Sequence, residues 1–500
     1  MRAKLLIAFC LVLSLFIISS RIYFRFPFLY SWDSVNFALS IKEFDVIKHQ
    51  PHPPGYILYS ALLRIVNPFL NDPNKTMIGI NIAAAVIASI FLAMLMLELI
   101  PTVSSSMKLL LACGAAALYA TNPIHWFYGS LAEIYPLEGC LAAVTVYFLV
   151  VSLRRPSLVP WLGIVLGIVG GIRLTTEVFL LPAYIYILLK SDKKTKITSA
   201  ICIVIANLIW FVPLVYLSHG LKSYLNAVFN QLGREPSRTA GFHVEVLFDL
   251  ITALIQIITL PVLSFSLRRM NKIRFDQRLD VLILSIIPAL LFFAFMHYTK
   301  RGYLMVVVPT LIAFAMYLLH NSIQKFRSLL PVIVLGILTN VLVFLIPPAL
   351  NAKQAERHWT KKLIYQLTYP NRHIRNDDEA KFGSFFNSMS AFADKKKLFV
   401  IQHGYFPEWR TVMYYFADDT AMVLLPRKRA TVAENFKVRK VRQPFHLNGD
   451  ERLMILIGPQ PVLPLFRSFK AGDHTYYYGY LRHFPYGFRV YEFQFFKAEK

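Results

Sequence analysis

A short segment near the start of the sequence combines residue types that could support transfer of a group to a hydroxyl. Asp33 and Asn36 lie in the run Ser31–Leu39, and the sequence His52–Tyr56 follows. An Asp carboxylate can accept the proton of an attacking hydroxyl, although an Asp in such a place is often only a helix cap. The two prolines of His52–Tyr56 fix φ, and Gly55 permits close backbone approach. We therefore predict a rigid site here, with Asp33 as its general base.

A second acidic position lies in the run Gly129–Glu138. We expect Glu133 at the outer mouth of a membrane helix, where it could orient an acceptor or a bound divalent ion. Glu138 is expected inside the apolar layer, where an ionisable side chain is costly and usually functional. Glu133 is thus the second candidate catalytic carboxylate.

Positive charge is expected near the same membrane surface, at Arg173, His297, Lys300 and Arg301. These residues fall in tight turns at the depth of a lipid phosphate. Arg is the preferred partner of phosphate because its planar guanidinium donates two parallel hydrogen bonds. Interfacial snorkelling, in which the charged end only reaches for water, is the alternative for each residue.

A metal site is left open by the sequence. His52, Glu133 and His297 are too dispersed to define a coordination set, so a divalent ion is possible and no other cofactor is expected. The sequence has no P-loop, no Gly-rich nucleotide-binding run and no Asp-x-Asp pair of soluble transferases. These features favour a lipid-linked donor over a sugar nucleotide.

The elements that must carry these residues are membrane helices. The chain has 500 residues, of which 56% are hydrophobic and 16% charged, which is too apolar for a soluble enzyme of this size. A membrane span needs about 20 residues, and the segment 56–70 is shorter, which indicates a re-entrant or interfacial helix. The predicted spans are 4–22, 77–100, 108–126, 130–152, 158–173, 175–190, 197–218, 245–267, 280–297, 302–320 and 328–347.

The short loops predict the orientation, since Lys and Arg near membrane ends stay on the cytoplasmic side. With a cytoplasmic N-terminus, the short outer turns hold only Arg173, Lys300 and Arg301, whereas the inner segments are rich in Lys and Arg. The long pieces 23–76, 219–244 and the tail then lie outside. This places the predicted site on the outer face and excludes nucleic acid as a partner.

Two domains are predicted. Residues 1–350 form the transmembrane domain with the outer loop 23–76, and residues 351–500 form a small extracytoplasmic α/β domain. In the tail, strand-like runs alternate with helical patterns near 379–394 and 407–417, and two aromatic-rich runs indicate a closing hairpin. The strand-like runs are Leu398–Gln402, Ala421–Leu425, Arg452–Ile457, Thr475–Leu481 and Tyr486–Phe496.

Several of these motifs together resemble the GT-C class of integral membrane glycosyltransferases, in the branch similar to protein O-mannosyltransferases. The resemblance covers about residues 1–320, and its first two motifs are the specific ones. The motifs are Asp33 with Asn36-Phe37-Ala38, His52-Pro53-Pro54-Gly55-Tyr56, Asn81, Ala132-Glu133-Ile134-Tyr135 and Arg301-Gly302-Tyr303.

The resemblance implies a sugar donor on a polyprenyl phosphate, an active site on the outer face and a catalytic base at Asp33. Glu133 matches a second acidic position of related aminoarabinose transferases. Displacement without a covalent intermediate would invert the anomeric centre. The expected substrate or lipid-phosphate-binding residues are Asn36, His52, Tyr56, Arg173, His297, Lys300 and Arg301.

The sequence departs from eukaryotic mannosyltransferases in two ways. It has Asp33-Ser34 where they carry adjacent Asp and Glu, and it lacks their β-trefoil insert. The donor sugar and the acceptor, a protein or a glycolipid, therefore stay open. We expect a multi-pass protein of a bacterial inner membrane with its site facing the periplasm or exterior.

Two other classes of function fit a polytopic chain. A lipid transporter or flippase often has two matching halves with broken helices at the bilayer midplane, and the sequence shows no such repeat. A non-catalytic subunit with a glycan-binding or protein-binding outer domain is the other alternative. The prediction is thus a predominantly α-helical polytopic membrane enzyme of about eleven spans, with a small C-terminal α/β domain.

Overall fold

The computed structural model describes most of the chain, which divides into two compact units. The first unit is Met1–Pro27 with Ser40–Arg375, and the second is Phe28–Leu39 with Asn376–Lys500. The described residues are 2–100, 104–234, 243–267, 276–323, 325–348, 350–390, 392–393, 396–402, 408–418, 420–425, 429–434, 437–440, 451–457, 468–471, 474–483 and 488–494.

Helices dominate the first unit because its sequence consists of long apolar runs. Two 3₁₀ helices, Pro156–Leu158 and Arg301–Val306, interrupt the series. The α-helices along the described chain are α1 Arg2–Tyr23, α2 Trp32–Lys42, α3 Ile57–Leu70, α4 Pro73–Leu99, α5 Ser105–Thr121, α6 Pro123–Gly129, α7 Tyr135–Ser152, α8 Val159–Ile172, α9 Leu174–Lys190, α10 Lys193–Leu217, α11 Leu221–Arg234, α12 Val244–Ile258, α13 Leu260–Ser266, α14 Gln277–Phe295, α15 Val308–Ser322, α16 Phe326–Leu345, α17 Ala352–Ala355, α18 Trp359–Thr368, α19 Arg372–Ser390 and α20 Trp409–Tyr415.

Helix length and composition pick out fewer candidate spans in the described residues than the eleven predicted. Six of the described helices are long and apolar enough to cross a membrane, or up to eight if each of two bent pairs counts as one span, so eleven stays a prediction. The bent pairs are α5 with α6, at 56°, and α12 with α13, at 88°. The predicted spans 158–173 and 175–190 correspond to α8 and α9, of 14 and 17 residues. Arg173 separates the two helices, since its backbone is extended at φ −152° and ψ 105°.

Close helix packing in the first unit uses small residues. Helix α4 packs against α5 and α7, and α8 packs against α10. A Cβ atom at Gly163 would lie 2.7 Å from the Ser199 carbonyl oxygen, and one at Gly167 would lie 2.6 Å from the Ala206 Cβ. Small residues of this kind let membrane helices approach each other closely. The membrane helices therefore form a packed scaffold that can hold polar residues at fixed positions.

The second unit contains an eight-stranded sheet in the order β4-β3-β2-β1-β5-β8-β7-β6. The central strand β1 is parallel to β2 and β5, and the other neighbouring pairs are antiparallel. All the predicted strand-like runs overlap these strands, and the predicted helical patterns overlap α19 and α20. The strands are β1 Lys396–Gln402, β2 Thr420–Leu425, β3 Arg429–Glu434, β4 Lys437–Lys440, β5 Glu451–Ile457, β6 Ser468–Ala471, β7 His474–His483 and β8 Phe488–Gln494.

The division between the two units differs from the boundary expected at residue 350. The second unit begins at Asn376, inside α19, and it includes the distant segment Phe28–Leu39. Its core brings the rings of Phe385 and Phe416 to 6.3 and 5.3 Å from the ring of Phe399. A segment of the predicted outer loop thus belongs to the same compact unit as the tail.

Candidate functional site

Two basic side chains share the faces of three tyrosines in the first unit. The Arg173 guanidinium carbon lies 5.9, 5.1 and 5.9 Å from the ring centroids of Tyr56, Tyr135 and Tyr303. The Lys300 ammonium lies 4.9 Å from the Tyr135 centroid and 5.9 Å from the Tyr303 centroid. Such distances allow cation–π attraction. We call these five residues the cation–tyrosine cluster.

Arg173 is placed by the break between α8 and α9. Its extended backbone lets the side chain leave the helix axis, and its Nε lies 3.1 Å from Glu138 Oε1. The Thr176 hydroxyl donates to the same oxygen at 2.8 Å. Glu138 is buried at the start of α7, so the ion pair keeps both charges compensated. Glu138 therefore acts on the cluster by holding Arg173.

The remaining donors of Arg173 are available to a ligand. Nε also donates to Thr175 Oγ1 at 3.3 Å. Within the described part of the chain, no hydrogen bond engages its terminal nitrogens Nη1 and Nη2. A guanidinium with both terminal nitrogens open can donate to two oxygens of one phosphate. This is the geometry that the sequence predicted for a phosphate-binding Arg.

Glu133 lies beside the cluster and is held by a buried amide. Its carboxylate is 1% exposed, and its Oε1 lies 3.7 Å from the Lys300 ammonium. The Asn81 side chain donates to the backbone carbonyls of Leu131 and Glu133 at 2.9 and 2.6 Å. Asn81 thus fixes the loop that carries Glu133, which explains its place among the sequence motifs.

Two histidines support the tyrosines of the cluster. His52 Nε2 is 3.1 Å from the Tyr56 hydroxyl, and His297 Nε2 is 3.2 Å from the Tyr303 hydroxyl. Tyr56 itself has φ 45° after Gly55 at φ 117°, a left-handed turn that favours glycine. The structure therefore brings His52, Tyr56 and His297 together with Arg173, Lys300 and Glu133, as one site in the first unit.

Arg301 lies in a different environment, although it follows Lys300 directly. Its Nε and Nη2 donate to Asp249 Oδ1 at 3.1 and 2.6 Å, and Nη2 also donates to Thr252 Oγ1 at 2.9 Å. Nη1 donates to Gln256 Oε1 at 2.9 Å and to the Gln366 carbonyl at 2.6 Å. All three guanidinium nitrogens are thus engaged. The side chain is fully buried, so it joins the elements around it instead of lining the cluster.

The same network contains Tyr298, which the sequence did not single out. Its hydroxyl donates to Asp249 Oδ2 at 2.8 Å. Burial, together with the Asp249 carboxylate, raises the pKa of Tyr298 well above its ordinary value. We call Asp249, Thr252, Gln256, Tyr298, Arg301 and Gln366 the Arg301 network. The partners of Arg301 lie in segments distant from it in the sequence. The residues around Arg301 in the sequence therefore give no sign of this network.

Asp33 and Asn36 lie in the second unit, on α2. Asp33 is in the first turn of this helix, and Asn36 is fully buried three residues later. The Asn36 side-chain oxygen accepts a hydrogen bond from Arg410 Nη1 at 2.6 Å. Arg410 is a residue that sequence reasoning missed, because its contact spans 374 positions of the chain.

The side chains that the structure describes do not form a metal site. Among them, no group of three or more His, Cys, Asp or Glu residues could hold a metal ion. What the first-unit site does offer is two cations, three tyrosine rings and a buried carboxylate. Such a site can bind an anionic group and stabilise negative charge that develops on it.

Comparison with known proteins places the chain by fold. Residues 33–198 match the family model described as "Protein O-mannosyl-transferase TMEM260 N-terminal domain". ArnT from Cupriavidus metallidurans bound to undecaprenyl phosphate aligns with a TM-score of 0.61 at 11% identity, over 98% of this chain and 97% of that chain. The apo state of the same protein aligns with a TM-score of 0.58 at 11% identity, over the same shares.

No curated protein sequence matches the chain significantly. At 11% identity the two structural matches establish the fold. The resemblance drawn from the sequence motifs is supported by the family model over residues 33–198 and, for the fold alone, by the two solved structures. The chain is a predominantly α-helical integral membrane protein.

Proposed function

We propose that this GT-C membrane protein transfers a sugar from a polyprenyl-phosphate carrier to a hydroxyl of a protein or glycolipid. The observation that carries the proposal is the cation–tyrosine cluster, in which Arg173 and Lys300 share the faces of Tyr135 and Tyr303. It suits an anionic headgroup, and the ArnT structure with the same fold is bound to undecaprenyl phosphate.

The cations act on the leaving group. When the glycosidic bond breaks, negative charge develops on the carrier phosphate, and positioned cations lower the energy of that transition state. Arg173 would donate from Nη1 and Nη2 to two phosphate oxygens, and Lys300 would add a second charge. Because the tyrosine hydroxyls meet His52 and His297, the rings stay in place while the carrier exchanges.

The acceptor hydroxyl needs a base, and Asp33 is the residue we assign. A carboxylate that removes the hydroxyl proton as the anomeric carbon takes on oxocarbenium character supports a single displacement, which inverts that centre. Glu133 is proposed as a second catalytic carboxylate that orients the acceptor.

Arg301 is reassigned within this proposal. Its guanidinium nitrogens are occupied by Asp249, Thr252, Gln256 and Gln366. A phosphate would have to displace these partners, whereas Arg173 needs no such exchange. We therefore move Arg301 from phosphate binding to holding the turn that carries Lys300.

The membrane side of the site is also part of the proposal. The short-loop charge asymmetry supports a cytoplasmic N-terminus, an outer site and an outer C-terminus. Residues 351–500 would then be extracytoplasmic. A bacterial inner membrane with the site facing the periplasm fits this orientation and the undecaprenyl carrier of the structural relative.

The test is sugar transfer in reconstituted vesicles. A panel of radiolabelled polyprenyl-phosphate sugars is supplied with membrane extracts as acceptors, and the wild type is compared with Asp33→Asn. Glu43→Gln is the control, because Glu43 is an exposed carboxylate in the same outer loop. We expect transfer by the wild type and the control, and loss with Asp33→Asn at unchanged melting temperature.

Two results would overturn the assignment. Equal transfer by Asp33→Asn and wild type would remove Asp33 as the base. No transfer of any sugar, together with movement of the labelled lipid between leaflets, would favour the transporter alternative over the enzyme.

A further inference from the structure

The segment that carries Asp33 is built into the C-terminal unit. Residues Phe28–Leu39 group with Asn376–Lys500, although more than three hundred residues separate them in sequence. We call the residues Asn376–Lys500 of the second unit the C-terminal unit. Because the Asp33 segment groups with them, its contacts link Asp33 to the C-terminal unit.

An aromatic contact anchors the start of the segment. The Phe28 ring centroid lies 5.7 Å from that of Phe382, 4.7 Å from Phe386 and 6.4 Å from Tyr415. Aromatic pairs at such distances add to stability beyond the area that they bury. Phe28 is thus held by helices α19 and α20 of the C-terminal unit.

Polar contacts continue the attachment towards Asp33. The backbone N–H of Leu29 donates to the Tyr415 hydroxyl at 3.0 Å, and the Tyr30 hydroxyl donates to Asp378 Oδ2 at 2.8 Å. These bonds fix the path of the chain over the residues that precede α2. Residues of the C-terminal unit therefore fix the backbone from which α2 begins.

Arg410 of α20 then contacts residues on both sides of Asp33 in the sequence. Its Nη1 donates to Asn36 Oδ1 at 2.6 Å, and its guanidinium carbon lies 5.1 Å from the Trp32 ring centroid. Arg410 is 4% exposed. Burial lowers the pKa of Arg410 to about 10, so the guanidinium stays charged at neutral pH.

We propose that Arg410 is a positioning residue, through which the C-terminal unit holds the helix turn of Asp33 in the orientation that proton removal requires. The inference rests on the proposed function, because it assumes that Asp33 is the base. It assigns to the tail a part in catalysis that does not require any tail residue to touch substrate.

The chemistry of the contact supports positioning over simple packing. Burying a cation costs free energy that an apolar side chain of similar size would not cost. A hydrogen bond from a charged donor is stronger than one between neutral groups, and it fixes direction as well as distance. A misplacement of about 1 Å in a catalytic group can lower the rate about 100-fold, so this precision has a kinetic value.

The experiment is a double-mutant cycle on the full-length protein. Arg410→Met and Asn36→Leu each remove the hydrogen bond with little change in volume, and the double variant removes both partners. Arg410→Lys keeps the charge without the planar fork, and Lys361→Met changes an exposed cation of α18 as a control. Transfer kinetics, melting temperature and binding of undecaprenyl phosphate are measured for each variant.

We expect the turnover number to fall about 10–100-fold in Arg410→Met, with the KM for the donor within about twofold of the wild type. The double variant should be no slower than the slower single variant, because the pair acts as a unit. Arg410→Lys should recover part of the rate, and undecaprenyl phosphate should bind all variants equally.

Several outcomes would overturn the positioning role. Wild-type turnover in Arg410→Met would do so, and so would effects of the two substitutions that simply add. A rate loss that only follows a fall in melting temperature would make the contact purely structural, and a raised donor KM in Asn36→Leu would make Asn36 a substrate contact. Wild-type activity in Asp33→Asn would contradict the assignment of Asp33 as the base. That result concerns the proposed function and does not depend on the Arg410 variants.

Discussion

Lys300 and Arg301 are neighbours in the sequence, yet they belong to regions with opposite character. In the cation–tyrosine cluster, Lys300 lies over tyrosine rings and near Glu133, and Arg173 keeps Nη1 and Nη2 open to a ligand within the described residues. In the Arg301 network, every guanidinium nitrogen donates to the protein itself. Arg173 and Arg301 carry the same charge, but Arg301 already uses its donors within the protein. We therefore expect Arg173, and not Arg301, to bind a phosphate.

Backbone geometry explains how neighbours can differ so much. Lys300 has extended dihedrals, φ −156° and ψ 147°, and successive side chains of extended backbone point in opposite directions. The following Gly302 packs against an aromatic ring, since a Cβ there would lie 2.6 Å from a ring atom of Tyr135. The turn thus places Lys300 in the cation–tyrosine cluster and Arg301 in the Arg301 network.

The strongest test of this contrast is Arg301→Gln. The substitution is expected to destabilise the fold by about 1–3 kcal/mol, because Asp249 Oδ1 loses both bonds from the buried guanidinium and the buried Gln256 loses its donor. We expect a large drop in melting temperature in detergent, while transfer per folded molecule stays within about threefold of wild type. A variant with normal stability but no binding of undecaprenyl phosphate would show instead that Arg301 contacts the phosphate.

Arg173→Gln should lower transfer by more than its loss of stability explains, since the substitution also leaves the buried Glu138 carboxylate without its cation partner. Loss of a charge aimed at the leaving group is expected to lower kcat/KM about 100-fold, which corresponds to about 2.7 kcal/mol, and to weaken binding of undecaprenyl phosphate. Arg173→Lys is the matched variant, since it keeps the charge and the pairing with Glu138 but loses the fork. Equal rates for Arg173→Gln and wild type would remove the cluster as the phosphate site.

These two arginines also show what the sequence could and could not predict. Residue type and turn position predicted Arg173, Lys300, His52 and His297 as site residues, and the structure brings these side chains close together. They could not separate Arg173 from Arg301, because the partners of Arg301 are supplied by segments 45 to 68 residues away. A donor count requires the tertiary structure.

The fold shows the same limit at a larger scale. Hydropathy predicted the helical membrane class and two segments divided at Arg173, but it could not show a bend inside a segment, such as the 56° bend between α5 and α6 at Asn122. Asn122 ends one helix and caps the next, where its side chain accepts from the backbone N–H of Ile124 and His125. The division of the chain was also not readable, because the segment Phe28–Leu39 joins the tail through contacts such as Phe28 with Phe386.

A smaller effect is expected from Lys300→Gln. Its side chain is 25% exposed, and its ammonium lies 3.7 Å from Glu133, so the charge is partly screened and less directional than a guanidinium. We expect about a tenfold fall in kcat/KM and little change in melting temperature. Lys361→Gln, at an exposed lysine of α18, serves as the control of equal charge. A loss as large as that of Arg173→Gln would mean that the two cations contribute equally to phosphate binding.

The smallest predicted effect separates the tyrosine rings from their hydroxyls. Tyr303→Phe removes the contact with His297 at 3.2 Å and the hydrogen bond from the Thr299 hydroxyl at 3.3 Å, but it keeps the ring that lies 5.9 Å from both cations. A neutral hydrogen bond contributes about 1 kcal/mol, and the Thr299 side of the contact is exposed, so we expect about a fivefold fall in transfer. Tyr303→Leu should cost more because the cation–π contacts are lost as well. Tyr216→Phe, at an exposed tyrosine of α10, is the control and should transfer as wild type. If Tyr303→Phe and Tyr303→Leu lose activity to the same extent, the hydroxyl and not the ring supports the cluster, and the ligand is held by hydrogen bonds from tyrosine as much as by the two cations.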